Sequence, residues 1–100
     1  MALRRDEMTD ELFRSFLKLK DLEDCYLYFE DLCTVKEIRD MGQRLSIAKM
    51  LDGGSSYLQA AEAVSASSST VGRVKRCLDY GSGGYRRILD RLEEKDDEGL

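Results

Sequence analysis

The chain has 100 residues, 42% of them apolar, with 16 Lys/Arg against 20 Asp/Glu and neither histidine nor proline. That length allows one small domain with a modest core. The lack of histidine and of any nucleophile–base pair argues against an enzyme, and the lack of an apolar run of about 18 residues argues against a membrane span.

Without proline nothing interrupts a helix. Ala, Leu, Glu, Lys and Arg dominate, strand-like alternation is missing, and the reading is all-α with about six helices. Residues 1–8 form a charged, flexible N-terminus that lacks the apolar segment of a signal peptide. A helical domain over residues 9–92 follows. Its first helix is expected over about residues 10–20, capped by Thr9 or Asp10, with Leu12, Phe13, Phe16, Leu17 and Leu19 as its apolar stripe. Asp21 caps a second helix over residues 22–32, whose apolar face is Leu22, Cys25, Tyr26, Phe29 and Leu32. These aromatics, at helical spacing, are packing residues rather than a stacking platform for bases.

Thr34-Val35-Lys36-Glu37 is a capping box that opens a third helix of about 18 residues ending near Asp52. Ile38, Met41, Leu45, Ala48 and Leu51 form its stripe, with Ile47 at the edge, and Gly42 inside it points to close contact with another helix. Gly53-Gly54 ends it. Residues 55–78, SSYLQAAEAVSASSSTVGRVKRCL, then read as a helix-turn-helix. Small or apolar residues stand where two short helices would touch: Ala60, Ala61, Val64, Ala66, Val71 and Val74, with Ala61 allowing the close crossing. Ser55 or Ser56 caps the first helix and Ser67 or Ser68 the second. Ser65 occupies the turn position where a left-handed backbone would favour glycine. A flexible break at residues 79–84 leads to a last helix carrying Ile88, Leu89 and Leu92, and residues 93–100 form an unstructured acidic tail.

Charge is unevenly spread. Residues 1–33 hold 5 Lys/Arg and 9 Asp/Glu, residues 34–87 hold 9 and 5, and residues 88–100 hold 2 and 6. The block around the helix pair is therefore +4 inside a chain whose total is −4, and a local patch is what phosphate binding requires. Arg73, Lys75 and Arg76 are candidates for phosphates or guanine edges, with Ser68, Ser69 and Thr70 at the helix N-terminus and Gly72 giving backbone access to a groove. Cys25, Cys33 and Cys77 are odd in number and form no CxxC, so neither a disulfide framework nor a metal site is expected, and the cysteines read as buried small hydrophobes in a reducing cytoplasm. No cofactor is implied.

Over most of its length the sequence resembles the Trp repressor superfamily, and within it the YerC/YecD branch of small bacterial proteins. The segments LKLKDLEDCYLYFEDLCTVKEIRDMGQRLSIAKML and STVGRVKRCLDYG carry the resemblance. It implies an intertwined helical homodimer with one helix-turn-helix per subunit on double-stranded DNA. Thr34, Arg44 and Arg73 match positions lining the corepressor pocket of the Trp repressor. The glycine that follows the second arginine there, leaving room for the indole, is Val74 here. A valine partly fills that slot, so the resemblance implies a vestigial effector pocket and argues against tryptophan; Arg44 reads instead as an ion-pair partner of Asp40. The expected function is a cytoplasmic, nucleoid-associated DNA-binding regulator, most simply a repressor. The alternative, suggested by the acidic ends, is a helical protein-interaction module of the same fold without DNA binding.

Overall fold

The computed structural model describes the backbone of residues 3–99 and the side chains of residues 3–94. Among them are six α-helices and no strand: α1 Glu7–Phe16, α2 Leu22–Leu32, α3 Val35–Asp52, α4 Tyr57–Val64, α5 Ser68–Tyr80 and α6 Gly84–Gly99. No helix among the described residues is long and apolar enough to cross a membrane. The chain divides into two units, Met1–Val35 and Lys36–Leu100.

In the first unit, α1 starts three residues earlier than expected. Asp6, rather than Thr9 or Asp10, caps it by accepting the Thr9 N–H at 2.8 Å. That bond to an ionised carboxylate holds the Asp6 carboxyl below its ordinary value. The helix also stops earlier, at Phe16, so Leu17 is its C-cap rather than part of an apolar stripe and is 83% exposed. Asp21 caps α2 as expected.

The two helices are joined by rings. Phe16 stands 5.1 Å from Phe29 and 6.2 Å from Tyr28, and Phe13 stands 5.7 Å from Phe16. The Ser15 hydroxyl donates to the Leu12 carbonyl, which leaves it to accept from the Tyr28 hydroxyl at 2.7 Å. Cys25, Tyr28 and Phe29 are half-buried, whereas Leu22 and Tyr26, which the spacing placed on the same face, are exposed. Neither helix holds a buried residue.

The second unit holds the core. Ile47 and Ala48 of α3, Ala60 of α4, Val71, Val74 and Leu78 of α5 and Leu89 of α6 are buried together, flanked by Leu45, Leu51, Val64 and Tyr85. Ile47 is fully enclosed, not at the edge, while Met41 of the expected stripe is exposed, and Cys77, expected to be buried, is exposed on α5, with Cys25 and Cys33 only half-buried. Among the described residues of its unit, a Cβ at Gly42 would meet nothing within 4 Å.

Helix α3 ends in a Schellman turn: Gly54 takes φ +99°, Ser55 N–H reaches the Met50 carbonyl at 2.9 Å and Gly54 N–H the Leu51 carbonyl at 3.1 Å. At the other end of the unit α6 runs to Gly99, so the backbone of most of the segment expected to be an unstructured tail is helical; Leu100 lies outside the described residues.

Candidate nucleic-acid interface

Helices α4 and α5 and the turn between them form the helix-turn-helix. Ser56 caps α4 through a full capping box with Gln59: its hydroxyl accepts the Gln59 N–H at 3.1 Å and the Gln59 side chain accepts the Ser56 N–H at 2.8 Å. The turn is a second Schellman motif. Ser65 sits at φ 55°, ψ 44°, Ala66 N–H reaches the Ala61 carbonyl at 2.9 Å and Ser65 N–H the Glu62 carbonyl at 3.4 Å. The carbonyl of Val64, left over at the helix end, accepts from the Gln43 side chain of α3 at 3.0 Å. The turn is thereby tied to the longest helix of the unit. Ala60, not Ala61, is the fully buried small residue of the crossing.

Ser67 caps α5. Its hydroxyl accepts the Thr70 N–H at 3.2 Å and lies 3.1 Å from the Ser69 and 3.0 Å from the Thr70 hydroxyl. Val71, Val74 and Leu78 turn inward. At 100° per residue the side opposite them carries Ser69, Gly72, Arg73 and Arg76. Arg73 and Arg76 are exposed, and among the described residues neither is drawn into an ion pair. Gly72 adds a bare stretch of backbone beside them, with nothing within 4 Å of where its Cβ would be.

Three candidates sit differently from expectation. Lys75 lies one turn from both Val71 and Leu78, half-buried, and pairs with Asp79 at 3.4 Å. It is off the face that Arg73 and Arg76 share. Thr70 is half-buried with its hydroxyl against Ser67, and Ser68 is exposed at the helix start, on the flank nearer Val71. Tyr80, expected in a flexible break, is the last residue of α5. It continues the outer face four residues past Arg76 and is 86% exposed. Its i+4, i+7 and i+11 spacing from Arg76, Arg73 and Ser69 was the signal that could have found it.

The residues expected to form an effector pocket stand in different settings. Val74 is buried in the core cluster, only 1% exposed, and Arg44 is half-buried on α3. Asp40 is bonded by Lys36 at 2.8 Å, not by Arg44. That hydrogen bond, helped by the charges of Lys36 and Arg44, lowers the Asp40 carboxyl from its ordinary value. Thr34 belongs to the other unit. The unit shows a cleft of 230 Å³ lined by Lys49, Asp52, Leu89 and Glu93, and an open groove of 370 Å³ lined by Arg39, Gly42, Gln43 and Val64. Arg44, Arg73 and Val74 line neither. No group of carboxylates and cysteines among the described residues could hold a metal ion.

Comparison with known proteins agrees with this architecture. Residues 7–93 match the family model described as Trp repressor protein. The protein YerC of Bacillus subtilis (strain 168) is 48% identical over 94 residues, spanning 94% of this chain and 90% of that one. The crystal structure of a TrpR-like protein from Eubacterium eligens superposes with a TM-score of 0.86 at 44% identity, covering 89% of this chain and 92% of the other. A structure from Staphylococcus aureus superposes equally well, with a TM-score of 0.86, 45% identity and 89% of both chains covered.

Proposed function

The chain belongs to the Trp repressor family, and from that premise we propose that it is a DNA-binding transcriptional regulator that works as a homodimer. The observation that carries the reading is the outer face of α5. A serine, a glycine and two exposed arginines share one side of the second helix of a helix-turn-helix whose inner side is core. Guanidinium groups pair bidentately with guanine edges or with phosphate, and a glycine lets the helix backbone approach a groove wall.

The homodimer is supported by α1 and α2. They and the α1 C-cap carry Phe13, Leu17, Leu22, Tyr26, Leu27 and Leu32 exposed, and no residue of either helix is fully buried. Covering a large apolar side chain is worth about 1.5–3 kcal/mol, so a second copy that hides these groups stabilises itself and its partner. Two recognition helices related by a twofold axis would then enter successive major grooves about 34 Å apart. Regulation is most simply repression by occluding a promoter on the bacterial nucleoid.

Selection from random duplexes followed by electrophoretic mobility tests this. Arg73→Ala or Arg76→Ala should cost about 1–3 kcal/mol if the arginine reads a base, or lower the salt slope by about 1 if it neutralises a phosphate. Failure of the unmutated chain to retard any duplex at low salt would sink the proposal. The total charge of −4 and the acidic residues 88–100 favour the protein-interaction module instead. That reading predicts elution from heparin near physiological salt and unaltered partner binding by both arginine variants.

A further inference from the structure

Three helices meet at Arg86, in the first turn of α6. Its Nη1 bonds Asp52, the last residue of α3, and its Nη2 lies 3.7 Å from Asp79 near the end of α5. The same Asp79 oxygen takes Lys75 at 3.4 Å. Two carboxylates and two cations thus form one chain of charge across α3, α5 and α6. All four side chains are partly exposed, and exposed pairs add little to stability. A bridge across three helices can still bias the angle between them, in addition to the core that α3, α5 and α6 share. The link from α5 to α6 is built to deliver Arg86 there. A Cβ at Gly81 would collide with the Cys77 carbonyl oxygen, and Gly83 takes φ +88°, so the chain turns along a path that only glycine follows at low cost. Asp52 in turn immediately precedes the Gly53-Gly54 turn from which the helix-turn-helix departs.

We propose that Arg86 is a positioning residue for DNA recognition: through Asp52 and Asp79 it holds α5 at a set direction relative to α3, so that Arg73, Gly72 and Arg76 meet the groove in register. This rests on the DNA-binding reading of α5. Plain electrostatics makes the opposite forecast for the carboxylates. An acidic group near phosphates repels them, so removing Asp52 or Asp79 should tighten binding to any duplex. Positioning requires that their removal weaken binding to the selected duplex.

The experiment compares the full-length chain with Asp52→Asn, Arg86→Gln, Arg86→Lys and the Asp52→Asn/Arg86→Gln double variant. Each is titrated with a selected and an unrelated duplex, and the exchange of the Tyr80 and Gly81 amides is followed without DNA. We expect Asp52→Asn and Arg86→Gln each to weaken selected-site binding about five- to tenfold, the low end of one misplaced base contact. The double variant should lose no more than either single one, and Arg86→Lys should recover part of the loss. Binding to the unrelated duplex should be unchanged or tighter for Asp52→Asn. Selected-site binding of Asp52→Asn as tight as that of the unmutated chain overturns the proposal. So does an equal loss on both duplexes for Arg86→Gln, which would mark a direct phosphate contact. If the unmutated chain binds no duplex, the DNA reading fails by itself, and the exchange data still decide the clamp. Faster exchange in both single variants without further gain in the double supports it, and unchanged exchange removes it.

Discussion

Replacing Ser65 by glycine should stabilise the protein, although the residue lies on the surface and the change deletes atoms. Ser65 holds φ 55°, ψ 44° at the end of α4. A residue with a Cβ pays about 1–2 kcal/mol for that left-handed conformation. Glycine escapes the cost but has more backbone freedom to lose on folding, which returns about 0.4–1 kcal/mol. The net gain is about 0.8 kcal/mol, and for a chain of this size it raises Tm by about 3–6 °C. A dimer gives the same shift, because the free-energy gain and the unfolding entropy both double. The turn geometry itself should persist, since its backbone hydrogen bonds and the Gln43 bond to the Val64 carbonyl do not involve the Ser65 side chain. DNA affinity should therefore stay as it is. Calorimetry on the Ser65→Gly chain is the assay, with Gly54→Ala as the mirror control. Gly54 sits at φ +99°, and alanine there should lower Tm. A Tm for Ser65→Gly equal to or below that of the unmutated chain would show that the turn stores no left-handed strain.

Sedimentation equilibrium at micromolar concentration should give twice the chain mass of 11.4 kDa, and Phe16→Asp or Phe29→Asp should give unfolded or aggregated protein; a well-folded monomer would refute the dimer. Millimolar L-tryptophan should leave Tm unchanged, because Val74 is packed in the core. A ligand at 100 times its Kd would add about 2.7 kcal/mol, roughly 10 °C or more here, so a clear rise would show that Val74 closes nothing. Val74→Gly should cost about 1–3 kcal/mol by opening a void in that core. Acid should loosen the start of α1. The folded Asp6 carboxyl is held below its ordinary value of 3.8, so its stabilisation is full above the unfolded value and disappears as pH falls through the folded one. The Thr9 amide shift should accordingly titrate with a midpoint below 3.8, and a midpoint at or above it would contradict the cap.

Local signals were legible in the sequence because their physics closes within a turn of chain. Asp21 before α2, the glycine pair after α3 and Ser65 in its left-handed turn all act on backbone groups a few residues away. The six small residues of the helix pair were legible too, since a close crossing excludes bulk. The start of α1 was not, because Asp6, Thr9 and Asp10 are all competent caps and only folding selects among them. Within α3 the apolar residues surround too much of the helix for spacing to say which side is inner. Ile47 is enclosed and Met41 left exposed because α4, α5 and α6 supply a core for one side alone. The same register separates Lys75 from Arg73 and Arg76: three cations within four residues read as one patch, but a 100° step per residue sends one of them toward Asp79. Asp52 and Arg86, 34 residues apart, have no shared pattern in the chain at all. Their meeting was decided by the tertiary structure, because a contact between distant residues exists only once the helices that carry them have packed.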